Sequence, residues 1–184
     1  MTMWLWIAVG IAALIVIIFF YYYNRFATLA NRIENSLSQI DVQLKRRADL
    51  IPNLIESVKG FVKHEKSAIT AVSNARKALV GAKGVEGKVR ADSILEAALG
   101  KLFAIAEAYP DLKANTNFLE LQRELATTED RVAYARQSYN DSILSYNTLC
   151  TTLPGKFFAG LYGRKSKEYL KIAESERKNV KVDF

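Results

Sequence analysis

The stretch Arg46-Arg47-Ala48-Asp49-Leu50-Ile51-Pro52-Asn53-Leu54 decides how the chain folds, because it sets an arginine and a proline into a long apolar seam. From Ile33, apolar residues recur in alternating steps of four and three through Leu37, Ile40, Leu44, Ile51, Leu54, Val58, Phe61, Ala68, Val72, Ala75 and Leu79. That spacing predicts helix with one apolar stripe. Arg47 and Glu65 fall on the stripe where the pattern predicts apolar residues. As a single rod, residues 25–79 would measure about 80 Å at roughly 1.5 Å per residue. A helix at 89–109 could cover only the last third of it, leaving the rest of the stripe in water. A reversal at Asp49 removes the mismatch: Asp49 becomes an N-cap, and Pro52 falls in the first turn, where its missing N–H is harmless. The expected helices are 25–48, 50–80, 89–108 and 112–149, an all-α, up-down antiparallel four-helix bundle.

Two further series carry the rest of the bundle: Ala91, Leu95, Ala98, Leu102, Ile105, Tyr109, and then Phe118, Leu121, Leu125, Val132, Ala135, Tyr139. Gly81, Gly84 and Gly87 predict a loop, Tyr109-Pro110-Asp111 a turn with Asp111 as cap, and Pro154-Gly155 the end of the long helix. The last helix outruns its partners, so a bend or overhang is expected near Tyr139-Asn140. Cys150 is the one cysteine, which excludes an intrachain disulfide and a thiolate metal cage and leaves packing as its role.

Before Arg25 no side chain is charged, and Trp4 to Tyr23 make about 30 Å of helix, one hydrocarbon thickness. Trp4 and Trp6 at one end and Tyr21, Tyr22 and Tyr23 at the other match the two interfacial aromatic belts. A basic leader, a shorter apolar core and small residues at a cleavage point are all missing, which favours a retained anchor over a cleaved signal. Arg25 and Arg32 follow the span, so the positive-inside rule puts the bundle in the cytoplasm and the N-terminus outside. All 26 Lys+Arg and 19 Asp+Glu lie after Asn24, giving that part the whole net charge of +7. For a tethered protein the nearest polyanion is anionic lipid, so lipid and not nucleic acid is the expected partner.

The expected division is an anchor at 1–24, the bundle at 25–153, and an aromatic and basic loop, short helix (166–178) and extended tail at 154–184. Within the last part, Phe157, Phe158, Tyr162, Arg164 and Lys165 are candidates for a lipid interface. The competing reading has these aromatic residues capping the bundle core. The up-down topology also gathers polar residues at one end: Lys45, Arg46, Arg47, Asp49 and Asn53 at the first turn, and Glu107, Tyr109, Asp111 and Lys113 at the third. Such a tip could dock a protein partner, or it could be an internal network that fixes register. Arg76, Glu129 and Arg136 read as solvated or intrabundle ion pairs.

No catalytic constellation can be assembled. His64-Glu65 fails the zinc-protease pattern because Ala68 stands where the second histidine belongs, and Phe61 stands where a di-metal bundle needs glutamate. No metal, no cofactor and no enzyme activity are expected, and a carboxylate and His64 metalloenzyme ranks last. A homo-oligomeric, lipid-binding assembly is the main alternative to an interaction protein.

The segments Ile40-Asp41-Val42-Gln43-Leu44-Lys45-Arg46-Arg47, Asp49-Leu50-Ile51-Pro52-Asn53-Leu54 and Glu107-Ala108-Tyr109-Pro110-Asp111-Leu112-Lys113-Ala114 resemble the LemA family. Phe118, Leu121-Gln122, Arg136, Tyr139-Asn140, Tyr146-Asn147 and Val182-Asp183-Phe184 extend the likeness over nearly the whole chain. One departure is Leu153-Pro154, where an aromatic usually precedes the proline. The resemblance implies a bacterial single-pass inner-membrane protein with an up-down helical bundle and no enzyme activity. It further implies an association with membrane stress and with membrane zinc proteases.

Overall fold

A computed structural model describes residues 2–61 and 65–170. Among these the regular structure is all helix, with no strand: α1 (Thr2–Lys59), α2 (Lys66–Gly81), α3 (Gly84–Ala106), α4 (Pro110–Lys113), α5 (Thr116–Thr151) and α6 (Gly155–Leu161). Two units emerge among the described residues, one of residues 2–36 with 137–169, the other of residues 37–61 and 65–136 with 170. Both α1 and α5 contribute to each.

The second unit holds the bundle. Ile40, Leu44, Ile51, Leu54 and Val58 of α1, Val72 and Leu79 of α2, Leu95 and Leu102 of α3, and Leu125 and Val132 of α5 are all buried, as the seam predicts. Side-chain pairs give the directions: Asp41 meets Lys88 and Arg47 meets Asp92, so α1 and α3 run parallel. Arg46 meets Glu124 and Arg47 meets Glu129 on α5, which comes after the α4 connection that reverses the chain. The arrangement is up-down-up-down.

The first reversal is not at Asp49. α1 passes through Pro52 without a break, and the chain turns after Lys59 instead. A proline inside a helix removes the N–H that should reach the carbonyl four residues back, here that of Ala48. In this protein Arg76 of α2 supplies the missing donor, its Nε–H reaching the Ala48 oxygen at 2.8 Å. Because that bond crosses between helices, no local rule about proline could anticipate it.

Other boundaries also shift. The glycine loop is short: α3 starts at Gly84, whose φ of +70° is the left-handed conformation that glycine adopts without strain, and Gly87 is helical. The cap of α5 is Asn115, whose Oδ1 accepts the Phe118 N–H at 3.0 Å, and not Asp111, which lies inside α4. The surplus length of α5 is used in the first unit, where Ser142 and Ser36 share a 3.2 Å hydrogen bond and Ile143 packs with Phe26, Leu29 and Ile33. Residues 164–170 carry no regular structure where a helix was expected to begin, and the remainder of 166–178, the Val180–Phe184 tail and His64 lie outside the described residues.

If Arg76 replaces the lost donor, the two sites must be coupled. Arg76→Met should cost about 1–3 kcal/mol in denaturant unfolding when Pro52 is present, the value of a hydrogen bond from a charged group. It should cost much less beside Pro52→Ala, which restores the backbone N–H.

Candidate functional site

Three places concentrate chemistry: a buried ion cluster, a basic cavity beside Pro52, and the aromatic segment around α6. The first belongs to the bundle interior. Arg47 lies on the α1 seam and is only 2% exposed. Its Nη1 meets the Asp92 carboxylate of α3 at 3.0 Å, and its Nη2 meets Glu129 of α5 at 3.3 Å. Asp92 is itself buried, and that burial pushes its carboxyl above the ordinary 3.8, against the pull of Arg47 and then Arg136. The cluster therefore joins three helices at one level, the register-fixing role weighed for Arg47 above. Asp92 is the partner the sequence reading missed. It sits beside Ala91 of the α3 series and is the signal that could have found it: an acid adjoining an apolar stripe that faces a stripe arginine.

The proposed polar tip therefore divides. From Arg47 to the end of α1 is about 18 Å of helix, and from Asp92 to the end of α3 about 21 Å. Glu107, Tyr109, Asp111 and Lys113 flank or form α4, at the α3–α5 connection, whereas Arg47 lies several turns down the bundle. The two groups of residues do not form one surface, because α1 continues where a turn was expected. Arg46 is exposed and pairs with Glu124 at 2.8 Å. Asn53 is exposed on α1, its carbonyl accepting the Ser57 hydroxyl.

Lys45 and Asp49 find a different setting. With Asp41, Arg76 and Lys88 they edge a cavity of about 370 Å³ whose apolar lining includes Leu44, Ala48, Leu79 and Val80. A second cavity of about 490 Å³ opens over Arg47 between α3 and α5, with Leu99, Phe103 and Leu125 among its walls and Glu96 and Glu129 at its edge.

The aromatic segment lies in the first unit. Gly155–Leu161, expected as a loop, is a short helix. It follows a tight turn with a cis Leu153-Pro154 bond. Gly155 is required there, since a Cβ would stand 2.2 Å from the Leu149 carbonyl oxygen. α6 packs on the stretch of α1 where the apolar run ends. Phe158 stacks on Tyr22 with ring centres 4.5 Å apart, and the Tyr162 hydroxyl donates to the Phe19 carbonyl at 2.7 Å. Tyr162 also meets Phe19, Tyr23 and Phe26 edge-on. Phe158 and Tyr162 thus join the core, while Leu153, Phe157 and Leu161 stay exposed, as do Arg164 and Lys165. The reading in which aromatic residues of this segment cap the core holds for Phe158 and Tyr162. Below it, Asn147 ties the following strand of backbone with two 2.8 Å bonds to Lys167. Burial pushes the Cys150 thiol up, which suits packing and not nucleophilic attack.

Among the described residues no group of three or more His, Cys, Asp or Glu is placed to hold a metal ion. Among the described residues one helix, α1, is long and apolar enough to cross a membrane, and none of its apolar window is buried. These features define a class of helical-bundle proteins with one candidate membrane span at the N-terminal end. The LemA family model matches residues 36–184, and the chain belongs to the LemA family. It is 28% identical to Magnetosome protein MamQ of Magnetospirillum gryphiswaldense, over 79% of this chain and 63% of that protein. It is 29% identical to Protein LemA of Metamycoplasma hominis, over 64% of this chain and 54% of that protein. The chain therefore spans under two thirds of the length of these curated relatives.

Two outcomes test the packing described here. Arg47→Met should cost about 3–5 kcal/mol, because it strands a buried carboxyl. Asp92 then moves further up, and a carboxyl with a raised pKa contributes stability below pH 3.8 that is lost as pH rises through its folded-state value. The deficit of this variant against the parent chain should accordingly grow between pH 4 and pH 7 in thermal melts. Gly155→Ala should free α6 from Tyr22, seen as new protease cleavage between residues 152 and 165.

Proposed function

We propose that this protein is a non-enzymatic interaction or scaffold protein of the LemA type, seated on the bacterial inner membrane by α1 and by the outer face of α6, with its bundle on the cytoplasmic side. The observation that carries the reading is the docking of α6 against residues 19–26 of α1. This puts exposed Phe157 and Leu161, with Arg164 and Lys165 close behind them in sequence, at the end of the apolar run. Apolar residues with a basic collar at that depth suit the boundary between acyl chains and anionic headgroups. The partner proteins it would scaffold, a membrane protease among them, would meet the exposed polar faces of the bundle, including the α4 connection with Glu107, Asp111 and Lys113.

A second reading, a lipid-bound assembly of several copies, draws support from large apolar residues left outside the bundle, Val42 at 62% and Tyr134 at 72% exposure. MamQ, a relative that bears the name of a magnetosome protein, makes an organelle-associated assembly a relevant comparison.

The seat is tested by placing a fluorophore at Phe157→Cys in a Cys150→Ala background and reconstituting the chain in vesicles with 30% anionic lipid. Quenching by a nitroxide near the headgroup, and protection from an aqueous quencher, is the expected result. Quenching from water alone would remove α6 from the bilayer. Crosslinking in intact cells that returns only this chain would favour the assembly over the scaffold.

A further inference from the structure

Of the two cavities described above, the one over Arg47 is acidic at its edge, with Glu96 and Glu129, and its guanidinium is already neutralised by Asp92 and Glu129. The cavity beside Pro52 differs in both respects. Arg76 is fixed there by the bond from its Nε–H to the Ala48 carbonyl, which leaves the two Nη groups as a fork of donors with no carboxylate paired to them among the described residues. Of the two acids on the rim, Asp41 is engaged by Lys88 at 2.7 Å, and Asp49 shares the rim with Lys45. The net charge at the rim is thus one positive unit, carried by a guanidinium whose position is set by the backbone of another helix. Leu44, Ala48 and Leu79 give the space an apolar floor of buried side chains, and Val80 stands at its edge, 65% exposed.

We infer that this cavity binds a single carboxylate attached to a small branched apolar group. A planar fork recognises a carboxylate through two parallel hydrogen bonds, which a lone ammonium cannot reproduce. The apolar floor accepts the remainder of the ligand, and a volume of about 370 Å³ limits it to something near the size of a leucine side chain with its carboxylate and a neighbouring group. A doubly charged phosphate is disfavoured, since Asp41 and Asp49 share the rim. Two sources offer this chemistry: the C-terminal residue of a partner protein, or a free short-chain acid. The site uses residues 41–88 only, so it stands apart from the membrane seat proposed above and can fail without it.

The test uses the full chain in lipid nanodiscs. The probes are a labelled hexapeptide ending in leucine with a free carboxylate, the same peptide amidated, 4-methylpentanoate, and methylphosphonate. The expected result is binding of the free-acid peptide with at least a tenfold preference over the amide, and no competition by methylphosphonate. Competition by 4-methylpentanoate at an affinity equal to the peptide's would identify a free acid as the source, and a much weaker effect would identify a protein C-terminus. Arg76→Lys, which keeps the charge and loses the fork, should weaken binding tenfold or more. Since Arg76 also supports α1, Val80→Trp provides a variant that fills the cavity and leaves that bond alone, and it too should abolish binding. Equal binding of acid and amide, no binding of either, or unchanged binding by Val80→Trp would overturn the inference.

Discussion

A single hydrogen bond lets α1 exist as it does. Pro52 withholds one backbone donor from the middle of a long helix, and an unpaired carbonyl in a packed interior costs more than an ordinary hydrogen bond returns. Arg76 satisfies it from outside the helix. Once that carbonyl is met, the apolar stripe of α1 runs on through Ile51, Leu54 and Val58, all fully buried, and the chain reverses only beyond Lys59. Every helix partner in the bundle takes its level from this choice. Arg47 immediately precedes Ala48, well inside α1, and faces Asp92 in the interior; with a turn at Asp49 it would have been near an end.

What was legible follows from this. Periodicity is a property of neighbouring residues, so the three apolar series, the all-helical class and the odd polar seam residue Arg47 could all be read directly. The position of the first reversal could not, because a bond between residues 28 apart in sequence outweighed the usual effect of proline. The same limit hid the partners of Arg47: Glu129 was recognisable as one half of an intrabundle pair, but only the fold brings it to Arg47. Around α6, composition announced an aromatic and basic segment. Which aromatic residues turn inward depends on the turn at Gly155, and Phe158 and Tyr162 were therefore indistinguishable from Phe157 in the sequence.

Membership of the LemA family and a candidate span agree with the architecture, and the structure adds where chemistry is concentrated. Buried charge here is organised to hold helices together, with Asp92 raised by its own burial. Among the described residues, the Arg76 guanidinium beside Pro52 keeps two nitrogens with no carboxylate paired to them. Backbone repair and the proposed ligand recognition draw on different nitrogens of one side chain, so the first fixes the geometry of the second.

The Arg47 cluster has a consequence for how copies of this chain avoid one another. A helix slipped by seven residues would still present an apolar stripe, but Ile40 or Leu54 would then stand opposite Asp92, and the buried carboxylate would lose the arginine that pairs with it. Exchange of helices between two molecules meets the same penalty unless the exchange is in perfect register. One buried ion pair thereby favours a single register over misaligned arrangements that the repetitive seam alone would tolerate.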